Sequence, residues 1–151
     1  MLIRDILIKG LKTISHEATM LEAESVLKEF KIRHLPVIKD KKIVGMLSDR
    51  DVHRAMTVIM SSEDKPQSHI YKNKMVSEYM ASPALKMKSS ETVESLARDM
   101  IGRKVSSMII EDETGTPIGI ITSEDLLLVL IDLLQAQRTP LQLLKKFFKR
   151  L

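Results

Sequence analysis

The chain predicts an α/β fold made of two like β-α-β-β-α units packed as a pair. Three observations carry this. The stretch Gly45-Met46-Leu47-Ser48-Asp49-Arg50-Asp51 recurs as Gly119-Ile120-Ile121-Thr122-Ser123-Glu124-Asp125. Each copy follows a strand-like run and precedes a helix-like run. A constant offset also pairs Asp5 with Glu78, Ile14 with Met87, Thr19 with Thr92, Leu27 with Met100 and Val37 with Ile110. With one extra residue in the second half, Gly45 meets Gly119, Ser48 meets Thr122 and Asp51 meets Asp125. Two copies of a unit longer than most solenoid repeats imply a duplication rather than an array.

Each element has a local reason. Ile3 to Ile8 and Val76 to Met80 read as short helical lead-ins, followed by extended pieces ending near Ile14 and Met87. Thr19 and Thr92 read as N-caps. Met20, Ala23, Leu27 and Phe30 then recur at helical spacing, as do Val93, Leu96 and Met100. Two apolar runs follow in each unit. They are Leu35 to Ile38 and Lys42 to Leu47 around Lys39-Asp40-Lys41, then Val105 to Ile110 and Pro117 to Ile121 around Glu113-Thr114-Gly115. Closing helices are expected over about Asp49 to Thr57 and Ser123 to Ala136. The units are thus 1–60 and 75–136. The polar, proline-containing 61–74 forms a linker. Residues 137–151 form a separate basic amphipathic helix: Thr139 caps it, Pro140 opens it, and Leu141, Leu144, Phe148 and Leu151 mark one face. That helix could pack on its own module, lie on a membrane surface, or dock a protein; nucleic acid is a weaker reading.

Composition narrows the function. The 151 residues are 44% apolar and 29% charged, an ordinary globular balance. With 3% aromatics and no Trp, the ten Met residues serve as gap-fillers in an aliphatic core. The absence of Cys excludes a disulfide framework and a thiolate nucleophile. No run is long and apolar enough to span a bilayer, and the N-terminus lacks a signal-peptide core, so a cytoplasmic protein is expected. A net charge of +4 leaves nucleic acid possible but does not argue for it. His16, His53 and His69 have no metal-ligand spacing, so no metal site is expected. No phosphate-binding glycine loop, nucleophile elbow or zincin helix is present, and no enzyme is expected.

The repeated motif has two readings. Ser48 and Thr122 sit where a strand turns into a helix. Their oxygens can cap free N–H groups, with the Asp three residues on completing a box-like pair. The same helix start attracts anions, so the pairs could instead hold a ligand. The run Leu126-Leu127-Leu128-Val129-Leu130-Ile131 is apolar around most of a helix, so a second subunit is an expected cover.

Laid out this way, the chain resembles a CBS-domain pair, or Bateman module. The carriers are the tandem pattern, the lead-ins Arg4-Asp5-Ile6-Leu7 and Ser77-Glu78-Tyr79-Met80, the run His34-Leu35-Pro36-Val37, and the paired Gly-containing stretches. The resemblance covers about residues 1–135. It implies a pseudo-twofold pair with two clefts, a regulatory role, a homodimer, and an adenine nucleotide as ligand: AMP, ADP or ATP, with S-adenosylmethionine or an accompanying Mg²⁺ as further possibilities. It implies Asp51 and Asp125 as ribose clamps, because one carboxylate can accept from two adjacent hydroxyls. Ser48, Thr122, Arg50, Arg33 and His34 fall at phosphate-contacting positions. Ile14, Ser15, Pro36, Val37, Met87 and Ile109 fall along the adenine slot. The second unit has Ser106, Ser107 and Glu124 where the first has Arg33, His34 and Arg50. Unequal clefts are therefore expected, with the phosphate drawn toward the basic residues.

Overall fold

The computed structural model describes residues 1–8, 10–60 and 73–148, without the side chains of 57–60 and 137–148. Most of the expected linker and the side chains of the C-terminal helix lie outside the described residues. In the first half, strands β1 (Ile14–Ser15), β2 (His34–Lys39) and β3 (Lys42–Ser48) form one sheet in that order. Helix α1 (Met20–Phe30) crosses from β1 to β2, and α2 (Asp49–Met60) follows β3. In the second half, β4 (Lys86–Lys88), β5 (Ser107–Glu111) and β6 (Pro117–Thr122) repeat the arrangement. There α4 (Val93–Arg103) crosses and α5 (Ser123–Phe148) follows; the short α3 (Val76–Tyr79) precedes β4.

The registers match across the halves. β1 runs parallel to β2 with Ile14 opposite Val37, and β2 antiparallel to β3 with Leu35 opposite Leu47. Their counterparts are Met87 opposite Ile110 and Met108 opposite Ile121. Both crossing helices start as the sequence predicts. Thr19 Oγ1 accepts from the Glu22 N–H at 3.2 Å while Glu22 accepts from the Thr19 N–H at 2.7 Å, a reciprocal capping box. Thr92 Oγ1 accepts from the Ser95 N–H at 3.0 Å. Both helices end on a left-handed lysine, Lys31 at φ 52° and Lys104 at φ 55°.

The lead-ins are exchanged between the halves. Ile3, in a single 3-10 turn (Ile3–Asp5), is fully buried among Leu96, Met100, Met108 and Ile121 of the second half. Val76, in α3, is fully buried among Met20, Leu27, Leu35 and Val52 of the first. Backbone bonds fix both crossings: Ile3 N–H to Glu91 O at 2.9 Å, and Val76 N–H to Ala18 O at 2.8 Å. Each core is therefore completed by a segment from the other half, so apolar burial, the dominant favourable term in folding, ties the halves together.

The C-terminal helix differs from its expectation. Helix α5 is continuous over 26 residues from Ser123 to Phe148, so Thr139 and Pro140 open no separate helix and the expected boundary at 136 falls inside α5. Pro140 removes one backbone donor inside α5, a cost that the strong helix formers Leu, Gln, Ala and Lys around it offset only in part. Leu126 packs on the second core. Leu127, Leu130, Ile131 and Leu134 on the following turns stay 58, 49, 48 and 46% exposed. Among the described residues, no helix is long and apolar enough to cross a membrane.

Candidate functional site

The repeated motif ends each sheet at the mouth of a helix. Gly45 and Gly119 are the points where the exchanged lead-ins press closest. A Cβ on Gly45 would meet Met80 Sδ at 2.6 Å and the Ala81 carbonyl oxygen at 2.8 Å; one on Gly119 would meet Leu7 Cδ1 at 2.6 Å. The hydroxyl and carboxylate that follow are tied together in both halves. Asp51 Oδ2 accepts from the Ser48 N–H at 2.8 Å and the Ser48 hydroxyl at 2.7 Å. Asp125 Oδ2 accepts from the Thr122 N–H and hydroxyl, each at 2.7 Å. The capping geometry is thus present in both copies. The other carboxylate oxygen distinguishes them. Asp51 Oδ1 is bridged by Arg54 at 3.0 Å. Asp125 Oδ1 has no protein partner among the described residues, since Leu128 stands three residues on where Arg54 does in the first half.

Two clefts lie between the halves, each drawing its motif from one and its wall from the other. The first, about 330 Å³, is lined by Thr122, Glu124 and Asp125 together with Lys12, Lys31, Arg33, His34 and Pro36. The second, about 300 Å³, is lined by Ser48 and Asp51 together with Leu85, Lys104, Ser106 and Ser107. Register by register, Lys12, Lys31, Arg33 and His34 of one cleft are replaced by Leu85, Lys104, Ser106 and Ser107 in the other. One cleft is basic and the other nearly neutral on the wall facing its carboxylate.

Arg33 therefore faces Thr122 and Asp125, not the Ser48 and Asp51 of its own half. Arg33 spans the two halves: its Nε meets Asp49 Oδ2 at 3.0 Å and its Nη1 meets Glu124 Oε1 at 2.9 Å. His34 lines both clefts, and its Nε2 lies 2.9 Å from Ser106 Oγ. Burial pushes the His34 imidazole below its ordinary pKa, with Asp49 opposing. Below the ordinary histidine value near 6.5 the unfolded chain holds this proton more readily than the folded one, so stability rises with pH through that window. His34→Asn should flatten the rise just below the ordinary histidine value near 6.5, read as the slope of melting temperature against pH. An unchanged slope would contradict the assignment.

Several predicted site residues lie elsewhere. Arg50 is exposed and lines neither cleft. Of the expected adenine slot, Pro36 lines the basic cleft, but Ile14, Val37 and Ile109 are core residues 7, 0 and 0% exposed. Ser15 is exposed and accepts from the Glu17 N–H, and Met87 packs beside the second core. The apolar sides of the clefts come instead from Ile8, Ile32 and Ile120 in one, and from Met46, Pro83 and Val105 in the other. The sequence reading missed Lys12, Lys31 and Lys104; only comparing each lead-in and helix end with its repeat mate would have picked them out.

Two like units sharing two grooves, each with a carboxylate and hydroxyl at a helix start, define a paired-repeat module. The chain belongs to the CBS domain family, whose model matches residues 3–58 and again 76–132. The CBS domain pair of protein MJ0100, solved with 5′-methylthioadenosine and S-adenosyl-L-methionine, is 26% identical with a TM-score of 0.72, over 86% of this chain and 95% of that one. CBSX2, solved with AMP, is 25% identical with a TM-score of 0.70, over 87% and 97%. Inosine-5′-monophosphate dehydrogenase of Methanocaldococcus jannaschii is 30% identical over 124 residues, 82% of this chain and 22% of the relative. A homoserine O-acetyltransferase of Methanohalobium evestigatum is 26% identical over 125 residues, 82% and 23%. The chain spans less than a quarter of the length of these two curated relatives.

Proposed function

We propose that the chain is a regulatory module that binds a phosphate-bearing adenosine ligand in the basic cleft and signals by shifting one half against the other. CBS-domain pairs are regulatory modules as a class. The observation that carries the finer reading is the Oδ1 of Asp125, without a partner among the described residues and opposite a wall holding Lys12, Lys31, Arg33 and His34. The carboxylate accepts from the two ribose hydroxyls; the Thr122 hydroxyl and the Arg33 guanidinium take the first phosphate. The cleft lies within the range of small-molecule sites, about 300–1,000 Å³. The ligands in the MJ0100 and CBSX2 structures support an adenosine moiety. A divalent cation would arrive on the ligand's phosphates, for among the described residues no group of three or more His, Asp or Glu is placed to hold one.

Arg33 supplies the coupling. It ties the halves through Glu124, and an incoming phosphate competes with Glu124 for the same guanidinium. A ligand moves such an equilibrium only by its differential affinity for the two arrangements. The other cleft, with Asp51 held by Arg54 and serines where the first has Arg33 and His34, keeps only Lys104 of the basic positions and offers a phosphate less. Calorimetry with AMP, ADP, ATP, S-adenosylmethionine and 5′-methylthioadenosine tests the reading. One phosphate-bearing ligand should bind per chain, tighter than either of the other two. No heat with any of them removes the proposal and leaves a structural module acting through the exposed face of α5.

A further inference from the structure

We propose that the basic cleft selects a nucleoside di- or triphosphate over the monophosphate, with Lys12 and Lys31 as the residues that decide it. The inference rests on the cleft binding a nucleotide at all. It starts from a count of which charges in that cleft are already spoken for. Arg33 is shared between two carboxylates, Asp49 and Glu124. Burial favours the uncharged form of His34. Asp125 is tied to Thr122 through one oxygen and open on the other. Lys12 and Lys31 are different: neither has a carboxylate partner among the described residues, and both line the cavity.

Lys12 is also held in place. Lys12 Nζ sits 4.0 Å from the centroid of the Phe30 ring, a cation–π contact that fixes the ammonium beside the last turn of α1. Lys31 follows directly as the C-cap of that helix, at a left-handed φ of 52° where a β-carbon is disfavoured and glycine is the usual choice. Its side chain therefore stands at a position that local backbone preference does not assign to lysine. Both lysines are exposed and line the cleft from neighbouring positions around the end of α1.

Two uncompensated charges inside one concave space raise the local potential for anions, and low-dielectric walls focus it. A monophosphate satisfied at Thr122 and Arg33 leaves both ammoniums without a counter-charge. Each further phosphate brings negative charge and acceptor oxygens toward them. In the other cleft the counterpart of Lys12 is Leu85, which leaves Lys104 alone. The selectivity thus belongs to the basic cleft and not to the repeat as such.

The test is calorimetry with AMP, ADP and ATP, without added divalent cation, on the full chain and on Lys12→Ala/Lys31→Ala. ATP should bind the natural chain at least about tenfold tighter than AMP, the preference expected from two charge pairs in a partly screened site. The double variant should lose most of that preference while its AMP affinity stays within about threefold. Equal affinity for AMP and ATP overturns the inference and leaves nucleotide binding standing. So does an equal loss of both ligands in the double variant. No binding of any nucleotide to the natural chain overturns the function proposed above as well. Lys31→Gly, which relieves the left-handed strain as it removes the charge, covers a double variant that fails to fold: it should gain stability and lose ATP preference. Unchanged preference there counts against the role of Lys31.

Discussion

Asp125→Ala should abolish nucleotide binding, whereas Asp51→Ala should leave it intact. The two aspartates look interchangeable in the sequence, and each accepts the same pair of hydrogen bonds from the hydroxyl residue three positions before it. Removing either therefore costs a comparable amount of stability, about 1 kcal/mol for a lost cap. Their second oxygens set them apart. That of Asp51 is taken by Arg54; that of Asp125 opens on the cleft with the basic wall. Two charge-assisted bonds to a ribose are together worth about 3–6 kcal/mol. Losing them weakens binding by at least about 100-fold. The measurement is the ligand-induced rise in melting temperature for both variants. The rise should vanish in Asp125→Ala and persist in Asp51→Ala, on equally lowered baselines. Loss in Asp51→Ala alone would move the site to the other cleft. Retention in both would reduce the aspartates to helix caps.

Much of this was legible before any coordinates. The repeat, the caps at Thr19 and Thr92 and the strand pairs depend on local pattern, and local pattern survives into structure when tertiary packing agrees with it. The exchange of lead-ins was not legible. Ile3 and Val76 are both small aliphatic anchors, and either core would accept either one. Without the exchange, Arg33 and His34 could not be assigned to a cleft; here Arg33 faces the motif of the opposite half and His34 lines both clefts. Of the residues expected along the adenine slot, only Pro36 lines either cleft, for a related reason. β2 is buried at Leu35, Pro36 and Val37 in succession, the pattern of a strand covered on both faces. Alternation then gives no guide to which side chain meets a cleft. Lys12 and Lys31 carried no motif, and only the contrast of Lys12 with Leu85 marks them in the sequence.

The glycine of each repeated motif carries the exchange itself, and Gly45→Val should be the most destabilising single change at the interface between the halves. At Gly45 the backbone of β3 and the incoming lead-in form a two-bond bridge, Met46 N–H to Ala81 O at 2.9 Å and Ala81 N–H to Met46 O at 2.8 Å. A Cβ at Gly45 would lie 2.8 Å from that same Ala81 oxygen, which is backbone and cannot swing aside. Valine must push the strand and the lead-in apart. The cost is overpacking, about 1–3 kcal/mol, plus up to two backbone bonds at about 1 kcal/mol each. A loss of about 1–5 kcal/mol lowers the melting temperature by roughly 2–20 °C in a domain of this size. Gly102→Ala is the internal control. That glycine is in α4 with nothing within 4 Å of its would-be Cβ, so alanine should stabilise by about 0.5–1 kcal/mol through helix propensity. Opposite signs for the two substitutions would show that Gly45 is required for contact between the halves, not for backbone freedom. A Gly45→Val protein that melts with the natural chain would mean that the lead-in does not cross there.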